Sequence, residues 1–354
     1  MNRPPVPISR LVMAMPEGPA VELTVVVPVY NEAPVIEDFH RRLVAVLDTL
    51  PIPAEVLYVN DGSTDGSTRL LRGFANADPR VVLLDFSRNF GKEIALTAGL
   101  DHAGGDAVIV IDSDLQDPPE LIPDMLREWR AGADVVMMRR ESRAGESWLK
   151  KATANLFYRL IGSIGELRIP ADVGDFRLLS RRAVDALRAL PERTRFMKGL
   201  FAWVGFRQTT LDYRRDARFA GVTKWNYWRL WNLAIEGITS FSSAPLKMAS
   251  YIGLAAAVYA LGAGVYVLGK SLLYGDPVAG YPSLMVTVLF LGGVQLIALG
   301  IIGEYMARMF VEVKGRPLYL LSGIYRQPAA PPQDTPATGG VAASEELGGR
   351  PADA

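Results

Sequence analysis

Cysteine is absent from the 354 residues, which excludes disulfides, zinc–thiolate sites and thiol nucleophiles. Histidine is nearly absent too. Only His40 and His102 occur; both fall on helical stretches, where they read as surface or packing residues, and a histidine-rich metal site is ruled against. Carboxylates and water are left to carry any metal. Net charge is also missing, because Lys+Arg and Asp+Glu each total 38. No whole-chain field recruits nucleic acid, and an anionic substrate has to be held by local clusters. No G-x-G-x-x-G follows the first apolar run, which sets aside a nicotinamide oxidoreductase. Residues 1–20 are proline-rich and lack an unbroken apolar run behind basic residues, so they read as a flexible arm rather than a signal peptide.

What is present is apolar content, 49% of the chain, enough for a substantial core and an enzyme-sized domain. From Val21 to about Asp216, short apolar runs alternate with longer amphipathic stretches, the pattern of an α/β domain with a mostly parallel sheet. Strands are expected at Leu23–Val29, Glu55–Asn60, Val81–Phe86, Ala107–Ile111 and Ala133–Met138. Several are apolar on both faces, as a sheet covered on both sides requires. Helices are expected at Val35–Leu50, Ser67–Ala75, Lys92–Ala103 and Pro119–Ala131, with Pro119 suited to a first turn. Ligands then collect at the C-terminal ends of the strands.

Trp225 to residue 247 is aromatic and poor in charge, and suits the headgroup layer of a bilayer. Met248–Gly269 and Ser283–Gly303 are nearly charge-free and long enough to cross about 30 Å of hydrocarbon. They predict a two-helix membrane hairpin over 248–310. Lys247 before it and Arg308, Lys314 and Arg316 at its far end outweigh the connecting loop, so both ends are expected in the cytoplasm, as is 311–327. Glycines in the spans, Gly262, Gly264, Gly292 and Gly293, permit close helix packing and suggest a homo-oligomer. Residues 328–354 have too little apolar content to fold alone and read as a disordered tail.

Asp112-Ser113-Asp114-Leu115-Gln116 follows the fourth apolar run. Two carboxylates spaced by one residue project to the same side of an extended segment. They are hard ligands suited to Mg²⁺ or Mn²⁺, with Gln116 able to add an oxygen; the plainer reading is an acidic turn before two prolines. Polar clusters close the first two strands as well. Pro28-Val29-Tyr30-Asn31-Glu32 and Asn60-Asp61-Gly62-Ser63 offer carboxylates to a base or ribose and an aromatic ring to stack, although each alone also reads as an ordinary turn or packed ring. A nucleotide fits the three together. Arg214, Arg215, Arg218 and Lys224 lie just before the membrane approach, either to bind phosphate or as a basic patch for anionic lipid.

These segments resemble the inverting GT-A glycosyltransferases of family 2: VVVPVYNE, VNDGSTD and a D-x-D motif in order. DFSRNFGKE (Asp85–Glu93), IDSDLQDPPE (Ile111–Glu120), SRAGES (Ser142–Ser147) and ADVGDFRLLSR (Ala171–Arg181), followed by two spans, are similar to the polyprenyl-phosphate group that includes the dolichol-phosphate mannosyltransferases and bactoprenol glucosyltransferases. The likeness covers about Glu22 to Ile324. It implies a GT-A, Rossmann-like domain over 21–224, Mg²⁺ or Mn²⁺, a nucleotide-sugar donor with UDP favoured over GDP, and a polyprenyl phosphate acceptor at the cytoplasmic face of the plasma membrane. By this resemblance Asp112, Asp114 and Gln116 hold the metal, and Pro28, Tyr30, Glu32, Asp61 and Asp112 the nucleotide. Arg218 and Lys224 bind the diphosphate, and Arg140 the acceptor phosphate. Asp175 and Asp114 are the catalytic carboxylates, with Asp175 favoured over Asp172. Arg177, in the same motif, either binds phosphate or forms a structural ion pair. An acceptor phosphate is already largely anionic, with a second pKa of about 6, so Asp175 is free to orient rather than abstract. A processive polysaccharide synthase is the nearest rival, but the QxxRW motif usual there is missing. A non-catalytic membrane scaffold is the rival from another class.

Overall fold

The computed structural model describes residues 21–140, 173–193, 195–213, 244–274 and 280–327. Within them the chain runs β1 (Leu23–Val29), α1 (Ile36–Leu47), β2 (Ala54–Asn60), α2 (Ser67–Ala77), β3 (Val81–Phe86), α3 (Lys92–His102), β4 (Ala107–Val110), a 3₁₀ turn (Pro119–Leu121) leading into α4 (Ile122–Arg130), and β5 (Val135–Arg140). It continues with β6 (Val173–Ser180), α5 (Arg181–Ala189), α6 (Met197–Trp203), β7 (Gln208–Tyr213), α7 (Ala244–Tyr274), α8 (Tyr281–Lys314) and β8 (Leu321–Arg326). All the described strands form one sheet in the order β7-β5-β6-β4-β1-β2-β3-β8. Pairing is parallel through β4, β1, β2 and β3 and between β5 and β7. It is antiparallel where β6 meets β4 and β5, and where β8 meets β3.

The apolar strands explain the layering. Val25 and Val27 of β1 face one core with Phe39 and Leu43 of α1, Leu71 of α2 and Met125 of α4. Val26 faces the other, with Leu96 of α3, Val184 and Leu187 of α5 and Met197 of α6. Sheet residues alternate faces, so a run such as Val25-Val26-Val27 fills both cores at once. Each fully buried aromatic or aliphatic side chain, such as Phe39, contributes about 1.5–3 kcal/mol. At the β6 to α5 junction Ser180 ends the strand and its hydroxyl accepts from the amide of Ala183, capping the helix.

Three strands go beyond the sequence expectation. β6 and β7 were not expected, nor was β8, which lies within the stretch 311–327 read from the sequence as a cytoplasmic segment. After α8 the chain returns to the sheet, pairs with β3 and stacks Tyr319 on Phe86 at 5.3 Å between ring centroids. The expected spans lie inside α7 and α8, whose stretches Met248–Tyr266 and Phe290–Lys314 are long and apolar enough to cross a membrane. The two helices touch each other through Tyr259 and Phe290, while large apolar side chains such as Leu261 (72%) and Leu296 (71%) are exposed.

Candidate active site

Register brings the acidic motifs together. In the β4–β6 ladder Ala107 faces Ser180 and Val110 faces Arg177. Continuing that antiparallel register two residues sets Asp175 against Asp112, at the C-terminal end of β4 and the start of β6. Lys92, the first residue of α3, reaches both. Its ammonium lies 2.7 Å from an Asp112 oxygen and 2.5 Å from Asp175 Oδ2. The two carboxylates more than offset the effect of burial on Lys92 and raise its pKa. Burial alone pushes Asp175 up, but the cations of Lys92, Lys198 and Arg177 prevail and bring it down to about 2. It is an anion at any physiological pH.

Behind Lys92, burial and the neighbouring charge of Asp175 push Glu93 up to about 7. Its Oε2 accepts from the amide of Met197, tying α3 to α6. Arg177 is 3% exposed, donates to the carbonyls of Gly174 (2.6 Å) and Asp175, and lies 4.0 Å over the ring of Phe201. Burial lowers its pKa to about 10 despite Asp175 and Glu93. Two of its donors go to the backbone on either side of the Gly174–Asp175 link.

Arg140 lies against Gly174, the neighbour of Asp175 in β6. It ends β5, paired in register with Tyr213 of β7. Its Nε donates to the Tyr213 hydroxyl at 3.2 Å, and that hydroxyl donates to Asp117 Oδ1. An Arg140 nitrogen lies 3.7 Å from the same oxygen of Asp117, which is buried. Gly174 leaves room for this guanidinium, since a Cβ there would stand 2.8 Å from Arg140 Nη2. Asp175 and Arg140 are thus brought to one edge.

The loops after β1 and β2 are stitched to each other. The Asn31 amide donates to Ser63 Oγ, the Thr64 amide to Asn31 Oδ1, the Glu32 amide to Ser67 Oγ, and the Ala33 amide to Asp65. This leaves the Tyr30 ring 46% exposed on the rim, beside Pro28, whose carbonyl accepts from Ser113 at 3.5 Å. Asp61 has a structural duty that the motif did not reveal. Its carboxylate accepts from the amides of Phe90 (2.6 Å) and Gly91 (2.9 Å), holding the loop that delivers Lys92. Gly62 permits that contact: its φ is +64°, and a Cβ would stand 2.4 Å from the backbone carbon of Arg88.

Asp114 accepts from the Gln116 amide at 3.1 Å in a tight turn, with the buried Leu115 between them at φ +61°. A bulky residue in the left-handed region is uncommon and marks a segment whose shape the surroundings impose. The donor set fits a hard cation. Asp112 and Asp114 supply carboxylates, Gln116 carries a neutral amide oxygen, and the Lys92 ammonium already marks a cation position against Asp112. Among the described residues no three His, Cys, Asp or Glu side chains form a complete cage, so further oxygens would come from substrate and water, as Mg²⁺ and Mn²⁺ sites commonly arrange. Arg218, Lys224, Arg214, Arg215 and Asp172 lie outside the described residues.

Sequence reasoning missed Lys92, Asp117 and Tyr213. Lys92 did leave a signal, because a cation at the first position of a helix opposes the helix dipole and asks for compensation. Asp117 carried the signal of a third acid in the same motif.

Residues 24–188 match the family described as glycosyl transferase family 2, and residues 244–309 match the GtrB C-terminal hairpin. An uncharacterized glycosyltransferase of Synechocystis sp. is 52% identical over 305 residues, 86% of this chain and 96% of the relative. The SfII prophage-derived bactoprenol glucosyl transferase of Shigella flexneri is 48% identical over 306 residues, 86% of this chain and 99% of its own. A prophage bactoprenol glucosyl transferase homolog of Escherichia coli is 46% identical over 304 residues, again 86% and 99%. A crystal structure of glucosyl-3-phosphoglycerate synthase from Mycobacterium tuberculosis aligns at 22% identity with a TM-score of 0.41, covering 62% of this chain and 78% of that one. Identity of 46–52% over 86% of the chain, together with the two matched segments, carries the assignment: the chain belongs to glycosyltransferase family 2 and is a GT-A glycosyltransferase that carries the GtrB-type hairpin.

Proposed function

We propose that this enzyme transfers a sugar from a nucleotide-sugar, UDP-linked by preference, to a polyprenyl phosphate such as undecaprenyl phosphate, inverting the anomeric centre. The observation that carries the reading is the nearness of carboxylates for a metal–diphosphate to an oriented arginine for a second phosphate: Asp112 and Asp175 are bridged by Lys92, and Arg140 lies against Gly174 beside Asp175. The names of the bactoprenol glucosyl transferase relatives support the same acceptor class. Tyr30 and Pro28 line the base, Glu32 and Asp61 the nucleoside side, and Arg218 and Lys224 complete the diphosphate contacts.

A phosphate oxygen of the lipid attacks C1 of the sugar, the bond from C1 to the diphosphate oxygen breaks, and nucleoside diphosphate leaves. The acceptor is mostly ionised near neutral pH, so no strong base is needed. Asp175, held as an anion, orients the acceptor, while Arg140 binds its phosphate with a planar donor fork. Asp112, Asp114 and Gln116 would hold Mg²⁺ or Mn²⁺, which supplies charge neutralisation for the leaving diphosphate.

The hairpin of α7 and α8 spans the membrane with both ends on the cytoplasmic side. Support comes from the return of the chain to the sheet as β8 and from the Arg193 amide, which donates to Glu312 at the end of α8 at 2.8 Å. The glycines Gly262, Gly264, Gly292 and Gly293 have open space where a Cβ would stand, which supports packing of the hairpin against a second copy; cross-linking in native membranes tests it. Purified protein in detergent, given undecaprenyl phosphate, Mn²⁺ and a panel of UDP- and GDP-sugars, is expected to form glycolipid with one donor, and Asp114→Ala is expected to form none. Nucleotide-sugar binding without any lipid product across the panel would refute the acceptor assignment, and absence of both would favour a scaffold.

A further inference from the structure

Among the side chains of the acidic edge, Lys92 is the one to which neither the motifs nor the family comparison assigns a task. Its placement runs against local preference, since it opens α3 where the helix dipole favours an anion. The chain nevertheless invests in that position. Asp61 accepts two loop amides to fix the turn, and Gly62 is obliged by the approach of Arg88. The return is a single ammonium in contact with carboxylates from two different strands, Asp112 after β4 and Asp175 on β6. Without a cation between them, two carboxylates brought together by the β4–β6 register repel, and each turns toward water.

We propose that Lys92 is a positioning residue of the transfer reaction: its ammonium holds Asp112 and Asp175 in one arrangement and competes with a divalent cation for Asp112. The inference rests on the reading of Asp112 as a metal ligand. Two consequences have opposite signs. Neutralising Lys92 removes a positive charge a few ångströms from the cation position, so a divalent cation binds the free protein more tightly. It also releases Asp175, so turnover falls. A side chain needed only for packing predicts no gain in metal affinity.

The experiment is a Mn²⁺ titration of full-length wild type, Lys92→Gln and Lys92→Arg in detergent without nucleotide, followed by kinetics with the donor that the wild type uses. Lys92→Gln is expected to bind Mn²⁺ about tenfold or more tightly than wild type, because a like charge near the site has been removed. Its kcat is expected to fall by about tenfold or more, while the KM for donor changes far less. Lys92→Arg keeps the charge and the reach, and is expected to hold Mn²⁺ affinity within about twofold of wild type and to recover part of kcat. Unchanged or weaker Mn²⁺ binding by Lys92→Gln overturns the proposal, as does wild-type kcat. Should the wild type form no glycolipid at all, the polyprenyl phosphate reading fails, while the Mn²⁺ titration still decides the role of Lys92.

Discussion

Tyr213→Phe removes one oxygen from the relay that orients Arg140. In the native chain the hydroxyl accepts from Arg140 Nε and donates to Asp117 Oδ1, and the Asp117 side chain is 1% exposed. Burial and Asp117 both raise the phenol pKa, so the hydroxyl stays a donor throughout any usable assay range. A hydrogen bond to a charged group contributes about 1.5–3 kcal/mol, and a buried carboxylate deprived of a donor loses a sum of that order. With Arg140 still 3.7 Å from Asp117 as a partial substitute, a net loss of about 2 kcal/mol is expected, or roughly 4–8 °C in the thermal midpoint of a domain this size. Arg140 then loses its fixed direction. The KM for polyprenyl phosphate is expected to rise about tenfold, equivalent to about 1.4 kcal/mol, with donor KM nearly unchanged. The assays are differential scanning fluorimetry in detergent and initial rates with each substrate varied in turn. A variant with native midpoint and native acceptor KM would refute the argument that the relay positions Arg140.

Gly62→Ala is expected to lose several kcal/mol and to express poorly, because its Cβ meets the backbone of Arg88 at 2.4 Å and its φ is +64°; a thermal midpoint near wild type would count against the close approach of the two loops. His102 is 6% exposed, its ring nitrogens lack partners among the described residues, and burial followed by Arg188 pushes its pKa down to about 4. The unfolded chain therefore takes up a proton below about 6.5 that the folded one refuses until about 4, so stability falls by up to about 3 kcal/mol as pH drops through that window. His102→Leu is expected to flatten this dependence, raising the midpoint at pH 5 more than at pH 8; equal shifts at both would contradict it.

Much of the sheet was legible because β1 to β4 are continuous apolar runs that feed two cores. β6 was not, since Val173–Ser180 carries Gly174, Asp175 and Arg177. A charged arginine breaks the strand pattern, yet here its donors satisfy backbone carbonyls and its guanidinium lies over Phe201. β7 alternates toward solvent at the sheet edge, and its threonines and glutamine gave little apolar signal. β8 is separated from its partner β3 by most of the chain, a pairing that local pattern does not encode. In the site, Asp112, Asp114 and Asp175 were readable from motif and resemblance. Lys92 was not, because its two partners lie 20 and 83 residues away and only the antiparallel entry of β6 brings them to one place. The same holds for Tyr213 and Asp117, 96 residues apart.

In the proposed reaction a phosphate oxygen of the lipid displaces an entire nucleoside diphosphate from the sugar. The most direct test is to measure which nucleotide wild-type protein releases when it glycosylates undecaprenyl phosphate, alongside the mass of the lipid product. Nucleoside diphosphate in equal amount to a lipid monophosphate sugar is the predicted result. Nucleoside monophosphate with a lipid diphosphate sugar would mean that phosphorus rather than C1 is attacked, and would contradict the assignment of the site.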